Sequence, residues 1–499
     1  MKKKILFSVA LGVSLFMLFV VQAGATPDLQ GDTEGRDSKS QESGGIAPVA
    51  VSENGKYLVT AAGDPFFWMG DTAWDLTHRL TKEEIEIYLD DRKDKGFNVI
   101  FFRLPFKDLE GEPQRDNRYG QVPFVDKDIT QPNEAYFELV DFTLDEMEKR
   151  GMVAGILPMW GFIVVGRFGH NIDEDNIQVY ANWLSERYQD RKNIIWVSGG
   201  DTGEDKRWEV LGTELKNADP EKLVTFHPGR RGVSSYHLYG DAEWLDFHMT
   251  QTGHSPDLET TYLTVNEVYN ESSKPILNGE PAYEDMWGEG RDRISAHQVR
   301  KAAYWSLLAG GFGHVYGHME IFQFARAMAG QPDTWGANNP WTEALDDPGA
   351  KQTAALSTLL QSVPWHRFQP KQSLIASENP TGPAHIRASA MDDGSTAWIY
   401  FPEKQAATIN LAQLEGDFDV RWFDPATGEI QEAGTVEAGS SKQFTSPFAE
   451  DALLMLVPPE GGWFMNSDLI KMAVLAVGAL LVLILLYFLY RQVKAGLGG

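Results

Sequence analysis

Two acidic side chains, Asp201 and Glu280, occupy positions suited to a pair of catalytic carboxylates. Asp201 follows the apolar run 194–198 and two glycines, and Glu280 follows the run 275–278 after one glycine. In a barrel enzyme, a parallel strand delivers the residues after its carboxyl end to the rim where the active site lies. Cleavage of a glycosidic bond needs a proton donor and a second carboxylate that forms a covalent bond or activates water. We therefore predict Asp201 and Glu280 as the catalytic residues for this chemistry.

Each predicted catalytic residue has a structural alternative. Asp201 before Thr202 is also a good N-cap for a following helix. Glu280 could equally be a cap or a salt-bridge partner. The gap between the two carboxyl groups separates the stereochemical outcomes: about 5–5.5 Å gives retention and about 6.5–9.5 Å gives inversion. We expect retention.

Other polar and aromatic residues follow the remaining apolar runs and suit the binding of a sugar. Aromatic faces stack on the C–H face of a sugar ring, and carboxylates bind its hydroxyl groups. For any single tryptophan, core packing is the alternative. The predicted substrate-binding residues are Asp71, Trp74, Arg103, Trp160, His248 and Trp287.

Several other chemistries are not supported by the composition. The absence of cysteine excludes disulfides, cysteine–zinc sites, iron–sulfur clusters and cysteine nucleophiles. His314 and His318 are four residues apart, but they flank an apparent strand, so the helical metal-site spacing does not apply. No Gly-x-Ser-x-Gly elbow is present. We predict no metal and no cofactor. The formal net charge of −27 repels phosphate backbones, so we predict an oligo- or polysaccharide partner and no nucleic acid.

The elements that must position these residues alternate between short apolar strands and amphipathic helices. Helical patterns cover 81–95, 135–150, 177–189 and 296–308. Eight strands with crossover helices predict an α/β fold, a (β/α)8 TIM barrel, over residues 49–368. A doubly wound sheet is the alternative, but 70–74 is not a glycine-rich phosphate turn. The eight predicted strands are 66–70, 99–104, 153–157, 194–198, 223–227, 245–249, 275–278 and 313–316.

The pattern changes to β-rich near residue 369. Strand-like runs at 397–401, 419–423 and 452–457 are separated by turn signals such as Asp393-Gly394. We therefore predict a small antiparallel β-sandwich over residues 369–460.

Both ends of the chain carry membrane signals. Three lysines, an apolar run and Ala23-Gly24-Ala25 predict a signal peptide over 1–25, with an uncleaved anchor as the alternative. The polar segment 26–48 predicts a disordered linker. Residues 470–490 predict a transmembrane helix, and 491–499 a cytoplasmic tail; a buried helix and a cleaved sorting signal are the alternatives. The predicted location is exported and membrane-anchored, with the catalytic domain extracytoplasmic.

Several ordered motifs resemble the apiosidase-like glycoside hydrolases, glycoside hydrolase family 140 and its relatives. The resemblance covers roughly residues 49–370. It implies a (β/α)8 barrel in which Asp201 is the acid/base and Glu280 the nucleophile, acting on plant pectic glycans. The region after it resembles a module of collagen-binding type, which we expect to be an accessory sandwich. The motifs are Phe67-Trp68-Met69-Gly70-Asp71-Thr72-Ala73-Trp74, Gly96-Phe97-Asn98-Val99-Ile100, Gly199-Gly200-Asp201, Asn278-Gly279-Glu280-Pro281-Ala282-Tyr283-Glu284 and Gly311-Phe312-Gly313-His314-Val315-Tyr316-Gly317.

Two other functions compete with a glycosidase. A carbohydrate-binding surface protein would keep the rim aromatics but need no carboxylate pair. A structural envelope protein would use the barrel as a scaffold and lack convergent carboxylates.

Overall fold

The structure is a computed structural model that describes residues 47–104, 116–164, 172–229, 231–255, 259–288, 292–328, 333 and 335–459. The predicted signal peptide 1–25 and tail 491–499 lie outside these residues. Of the predicted linker 26–48, the described part is Ala47 and Pro48, and the first strand already begins at Pro48.

Twelve strands form the first part of the described chain, and its parallel strands are buried except for the last two residues of the strand that ends at Thr202. The first three make a small antiparallel sheet. Strands that are buried on both faces are apolar without alternation, which is why the sequence signalled them as short continuous runs. The strands are β1 Pro48–Val51, β2 Leu58–Thr60, β3 Pro65–Phe66, β4 Trp68–Thr72, β5 Val99–Arg103, β6 Val153–Leu157, β7 Ile194–Thr202, β8 Val224–Pro228, β9 Val233–Ser234, β10 His248–Gln251, β11 Ile276–Glu280 and β12 Gly313–Tyr316.

Helices alternate with these strands and cover the sheet. Capping boxes fix four of the starts, at Thr81, Asp173, Ser234 and Ser295, where the cap side chain and the third helical residue satisfy each other's backbone N–H groups. The helices are α1 Leu76–Arg79, α2 Lys82–Asp94, α3 Glu134–Lys149, α4 Gly161–Val164, α5 Glu174–Tyr188, α6 Lys206–Ala218, α7 Ser235–Tyr239, α8 Thr260–Glu271, α9 Ala296–Leu308, α10 Trp341–Ala344 and α11 Pro348–Gln361.

Large aromatic side chains fill the space between the parallel strands. The Trp68 ring lies 5.5 Å from the Phe101 ring, 5.6 Å from Phe247 and 6.2 Å from Phe312. Gly155 makes room for this cluster, because a Cβ there would lie 2.1 Å from the Phe101 ring. The interior is therefore a packed core whose rim carries the polar residues.

The predicted single closed eight-stranded barrel is wrong. In the described residues six parallel strands form one sheet in the order β12-β4-β5-β6-β7-β8, and β10 and β11 belong to a second sheet with β9. In a closed barrel β8 would pair with β10. Here the short strand β9 pairs antiparallel with β10 instead. Single backbone hydrogen bonds still link the two sheets. Asp246 N, just before β10, donates to Val224 O of β8 at 2.8 Å, and Phe312 N, just before β12, donates to Ile276 O of β11 at 3.2 Å. The parallel sheet is thus a half-barrel of TIM type, with β10 and β11 beside it.

The predicted transmembrane helix is also not part of the described fold. No helix among the described residues is long and apolar enough to cross a membrane. The longest of them, α3, has 16 residues and is amphipathic, whereas spanning a bilayer takes about 20 predominantly apolar residues. The predicted segment 470–490 lies outside the described residues, and the fold is corrected to a half-barrel followed by a β domain.

Eight further strands form the β domain. Six of them make a sheet in the order β13-β14-β15-β20-β17-β18, and β16 pairs with β19 in a second sheet. The two antiparallel sheets share an apolar core that includes Ile399, Ile409 and Phe444. The strands are β13 Phe368–Pro370, β14 Arg387–Met391, β15 Ala397–Phe401, β16 Ala406–Asn410, β17 Asp417–Phe423, β18 Ile430–Glu437, β19 Ser441–Thr445 and β20 Ala452–Val457.

A buried ion pair and stacked rings join the β domain to the half-barrel. Arg300 of α9 donates from Nε and Nη2 to the Asp451 carboxylate at 2.7–3.1 Å, and Tyr400 donates to the same carboxylate at 2.8 Å. Beside them the Tyr304 and Tyr400 rings stack at 4.4 Å. Because both charges are buried, these contacts fix how the β domain packs on α9.

Candidate active site

Asp201 is delivered to the rim by a bent strand end. Gly199, Gly200 and Asp201 all have positive φ, at 92°, 103° and 49°, and the register between β7 and β8 shifts after Gly199. A left-handed conformation is uncommon for aspartate and is usually held in place by surrounding structure. Gly229 does so here, because a Cβ on it would lie 1.9 Å from the Asp201 carbonyl carbon. Close backbone packing therefore positions the half-exposed Asp201 side chain.

Glu280 ends β11, and Gln251 ends the neighbouring strand β10. A register shift before Gln251 places it opposite Glu280. The Gln251 amide nitrogen donates to Asp201 Oδ1 at 2.9 Å and to Glu280 Oε1 at 2.6 Å. An oxygen of Asp201 and an oxygen of Glu280 lie within 4.8 Å of each other. The two carboxylates therefore face each other across one shared amide group.

Two histidines and a tyrosine surround the Glu280 carboxylate. His227 Nε2 lies 3.0 Å from Oε2, and His254 Nε2 lies 3.4 Å from Oε1. The Tyr283 ring lies 4.5 Å from the His254 ring. Each histidine thus contacts a different oxygen of the same carboxylate.

These contacts set the charge of the site. Burial raises the pKa of Glu280, but the hydrogen bonds and charges of His227 and His254 outweigh it and hold the pKa well below its usual range. Burial lowers the pKa of His227, yet its contact with Glu280 leaves that pKa above the ordinary value. At neutral pH Glu280 is therefore a carboxylate, buried beside a histidine whose protonated form is favoured.

Two tryptophans form one wall beside His227. Trp74 meets the Trp160 ring edge-on at 5.3 Å and the His227 ring at 5.5 Å. The Arg103 guanidinium lies 5.0 Å from the Trp160 ring centroid and is paired with Asp75. Arg103 thus supports the wall from a buried ion pair.

Comparison with known proteins identifies the family. The family model described as "Apiosidase-like, catalytic domain" matches residues 52–367. This chain is an apiosidase-like protein. The resemblance seen in the sequence motifs is therefore confirmed. The model described as "Putative collagen-binding domain of a collagenase" matches residues 369–456.

Solved structures agree with this assignment. One, described as a glycoside hydrolase, is 31% identical with a TM-score of 0.75, covering 84% of this chain and 98% of that chain. A glycoside hydrolase family 5 structure from Bacteroides vulgatus ATCC 8482 is 29% identical with a TM-score of 0.77, covering 84% of this chain and 95% of that chain. No curated protein matches the chain. The apiosidase-like domain is thus of glycoside hydrolase type.

Two other residues predicted to bind substrate lie away from the carboxylate pair. Asp71 is fully buried, where it accepts hydrogen bonds from Tyr88 at 2.6 Å and from Arg92 of α2. Neighbouring side chains of a strand point to opposite faces. Since Trp68 points into the core, Asp71, three residues on, points outward to the helices. In this apiosidase-like fold Asp71 therefore joins a strand to a helix.

His248 lies at the beginning of β10, three residues before Gln251, or about 10 Å along the strand. Its ring contacts Ser235 at 3.0 Å and Asp241 at 2.9 Å. Burial lowers the pKa of His248 to about 4, so it is neutral at physiological pH. It belongs to the end of the strand opposite the site.

Trp287 lies on the rim, seven residues after Glu280, and its side chain is 48% exposed. The Arg293 guanidinium covers its ring at 4.2 Å. Of the six predicted substrate-binding residues, the structure therefore brings Trp74, Trp160 and Arg103 into the wall of the site and Trp287 onto its rim.

Asp201, His227 and Glu280 present ligand atoms within 4.8 Å of one another, a spacing that a divalent cation can bridge. Gln251 directs its amide hydrogens at both carboxylates, and His227 lies against Glu280 as a favoured cation. A metal would have to displace the Gln251 amide from both carboxylates and the His227 ring from Glu280. The donor set therefore suits an acid–base pair better than a resident ion.

Three residues of the site were missed in the sequence: Gln251, His227 and His254. His227 was visible as the last residue of the predicted strand 223–227, but no motif or spacing singled it out. Gln251 was missed because the strand was predicted over 245–249, and the structure has it over His248–Gln251. The observed strand end would have identified Gln251 by the same rim rule that selected Glu280.

Proposed function

We propose that this apiosidase-like protein hydrolyses a glycosidic bond in a plant-type or other complex polysaccharide, by a retaining mechanism with two carboxylates. The observation that carries the proposal is the single amide of Gln251 that bridges Asp201 Oδ1 at 2.9 Å and Glu280 Oε1 at 2.6 Å. A structural cap or surface salt bridge would not need two acids, far apart in sequence, to converge on one donor.

The spacing of the carboxylates favours retention. Retaining enzymes hold their carboxyl groups about 5–5.5 Å apart, and inverting enzymes leave about 6.5–9.5 Å for a water molecule. Here an oxygen of each group lies within 4.8 Å of the other. A gap on this scale is closer to the retaining spacing than to the inverting one.

The environments of the two acids support different roles. Glu280 is buried and its pKa is held low by His227 and His254, so it stays ionised and suits the nucleophile. Asp201 lies at a bent strand end with a partly exposed side chain, where it can reach the leaving oxygen and solvent. In the first step Asp201 protonates the leaving oxygen while Glu280 attacks the anomeric carbon. In the second, Asp201 removes a proton from water, and that water releases the sugar from Glu280.

The substrate class rests on the family and on the site. Trp74 and Trp160, which are 4% and 2% exposed, form a buried aromatic wall that backs the site beside His227. The family description "Apiosidase-like" favours a branched plant polysaccharide, and the net charge of −27 disfavours a nucleic acid. Export stays a prediction from residues 1–25.

Hydrolysis and its stereochemistry test the proposal. The wild-type protein is incubated with 4-nitrophenyl glycosides and pectic oligosaccharides, and the anomer first released is followed by proton NMR. Retention is expected. Glu280→Ala should abolish turnover, and azide should restore it with formation of a glycosyl azide of inverted configuration. Asp201→Ala should lose roughly 10²–10⁴-fold in rate on poor leaving groups, much less on 4-nitrophenyl substrates, and azide should give the retained product.

Glu204→Gln is the matched control, because it removes a carboxylate from an exposed position three residues after Asp201. It should keep wild-type activity. Binding of the oligosaccharides without any hydrolysis would instead favour a carbohydrate-binding protein. Hydrolysis that survives in Glu280→Ala without azide would refute the assigned roles.

A further inference from the structure

Two tryptophans on the rim are exposed to solvent. Trp287 is 48% exposed and Trp335 is 69% exposed. Among the described residues, the other tryptophans are not exposed to this extent. A large aromatic surface left in water forgoes the gain from burial, and such exposed surface often marks a binding site.

The two rings belong to loops that are tied together. A Cβ on Gly336 would lie 3.0 Å from Nε1 of Trp287, so the turn at 335–336 runs directly against that indole. Arg293 Nη2 donates to the Gly336 carbonyl oxygen at 2.8 Å, while the same guanidinium lies 4.2 Å from the Trp287 ring centroid. Arg293 thus connects both loops, covers one face of Trp287 and limits the motion of its ring.

The backbone at Trp335 is unusual for its residue type. Its φ is 60°, in the left-handed region that bulky residues rarely occupy. Conformations of this kind persist where the surrounding structure imposes them, and they cluster at ligand-binding sites. The Trp335 indole is 69% exposed here, and the next residue, Gly336, lies against the Trp287 indole.

This aromatic pair is continuous with the carboxylate site. A Cβ on Gly288, the neighbour of Trp287, would lie 4.0 Å from the His254 carbonyl oxygen. The imidazole of that same His254 lies 3.4 Å from Glu280. His254 therefore lies between Glu280 and the loop that carries Trp287, which places this loop beside the carboxylate site.

We propose that Trp287 and Trp335 form an outer sugar-binding subsite, which stacks a further sugar unit of the same glycan beyond the bond that is cleaved. The inference rests on the proposed function and deepens it, because it makes the ligand an oligosaccharide and not a lone glycoside. With one face of Trp287 covered by Arg293, the sugar takes the open face. Stacking on apolar rings does not depend on ligand charge, so this subsite can hold a neutral or an acidic sugar unit on a chain of net charge −27.

Calorimetry tests the subsite without turnover. In a Glu280→Gln background, pectic oligosaccharides of one to four units are titrated into the full chain. Affinity should rise with length, by about tenfold when the outer subsite is first filled. Trp287→Ala and Trp335→Ala should each remove most of that rise, and Trp287→Phe should restore much of it. Leu263→Ala, at a side chain on α8 that is likewise half-exposed, is the matched control and should leave the length dependence intact.

The outcomes separate this inference from the proposed function. Hydrolysis by the wild-type protein with no dependence of affinity on length, or a length dependence untouched by both tryptophan variants, would overturn the subsite alone. Length-dependent binding that the tryptophan variants abolish, in a wild-type protein that hydrolyses none of the glycans, would support the subsite and refute the glycosidase.

Discussion

Replacing His227 with leucine tests whether an imidazole keeps Glu280 ionised. His227 is fully buried, and its Nε2 lies 3.0 Å from Glu280 Oε2. Leucine keeps an apolar side chain beside Trp74 and Trp160 and removes both the hydrogen bond and the charge. Burial, which raises the pKa of Glu280, would then be opposed at close range by His254 and the Gln251 amide.

The size of the effect follows from that contact. A hydrogen bond to a charged group contributes about 1.5–3 kcal/mol, and two charges 3.0 Å apart interact by roughly 5 kcal/mol at an effective dielectric of about 20. One pKa unit corresponds to about 1.4 kcal/mol. The Glu280 pKa should therefore rise by roughly one to four units in His227→Leu.

The pH dependence of kcat/KM is the assay. Glu280 attacks as a carboxylate, so activity is present above its pKa and is lost as the pH falls through it. The acid limb of His227→Leu should lie at higher pH than that of the wild type. His237→Gln, which removes a surface histidine paired with Glu267 at 3.2 Å, is the control. Coincident acid limbs in wild type and His227→Leu would refute the idea that His227 sets the charge of Glu280.

Three further predictions concern the bridging amide and two buried ion pairs. Gln251→Met should lower kcat by about tenfold or more, since the two carboxylates lose their shared donor; an unchanged kcat on aryl glycosides would contradict this. Arg92→Met leaves Asp71 buried without its cation and should destabilise the fold by about 3–5 kcal/mol, measured by denaturant unfolding. Burial raises the pKa of Asp71, and Arg92 opposes that rise. A group whose pKa is raised in the folded state stabilises the fold at low pH, and this stabilisation is lost as the pH rises. The loss of stability in Arg92→Met should therefore be smaller at pH 5 than at pH 8. Arg300→Met leaves the Asp451 carboxylate buried without its cation between α9 and the β domain and should cost about 3–5 kcal/mol. The loss should appear as earlier melting and faster proteolysis of the β domain. Lys351→Met, at an exposed position on α11, should change neither.

The sequence predicted the local elements well where their signals were local. The runs 153–157 and 313–316 coincide with β6 and β12, and 296–308 coincides with α9, whose Ser295 cap is visible as a residue type. Each of these elements depends on its own apolar residues or its own cap. No knowledge of the neighbouring strands was needed to predict those bounds.

Features that depend on distant pairing were not predicted. The split of the parallel sheet comes from β9, a two-residue strand that pairs with β10. Thr250 and Gln251 complete β10 but are polar, so a search for apolar runs ended that strand early. Because the predicted strand ended at 249, His248 was expected at the rim and Gln251 was not selected as a rim residue. Asp71 lies away from the carboxylate pair for a related reason, because the face of a strand on which a residue lies changes with each position.

The carboxylate pair illustrates why the residues of the site were easier to find than its geometry. The chemistry selected Asp201 and Glu280 by type and by position after a strand. Their approach to within 4.8 Å depends on two departures from regular pairing: the three left-handed residues that end in Asp201 and the register shift that sets Gln251 opposite Glu280. Regular strands in register would give Asp201 ordinary β geometry and move Gln251 out of line with Glu280. The irregular strand ends are therefore what turns two rim acids into a facing pair, and glycines at 199, 200 and 229 permit them.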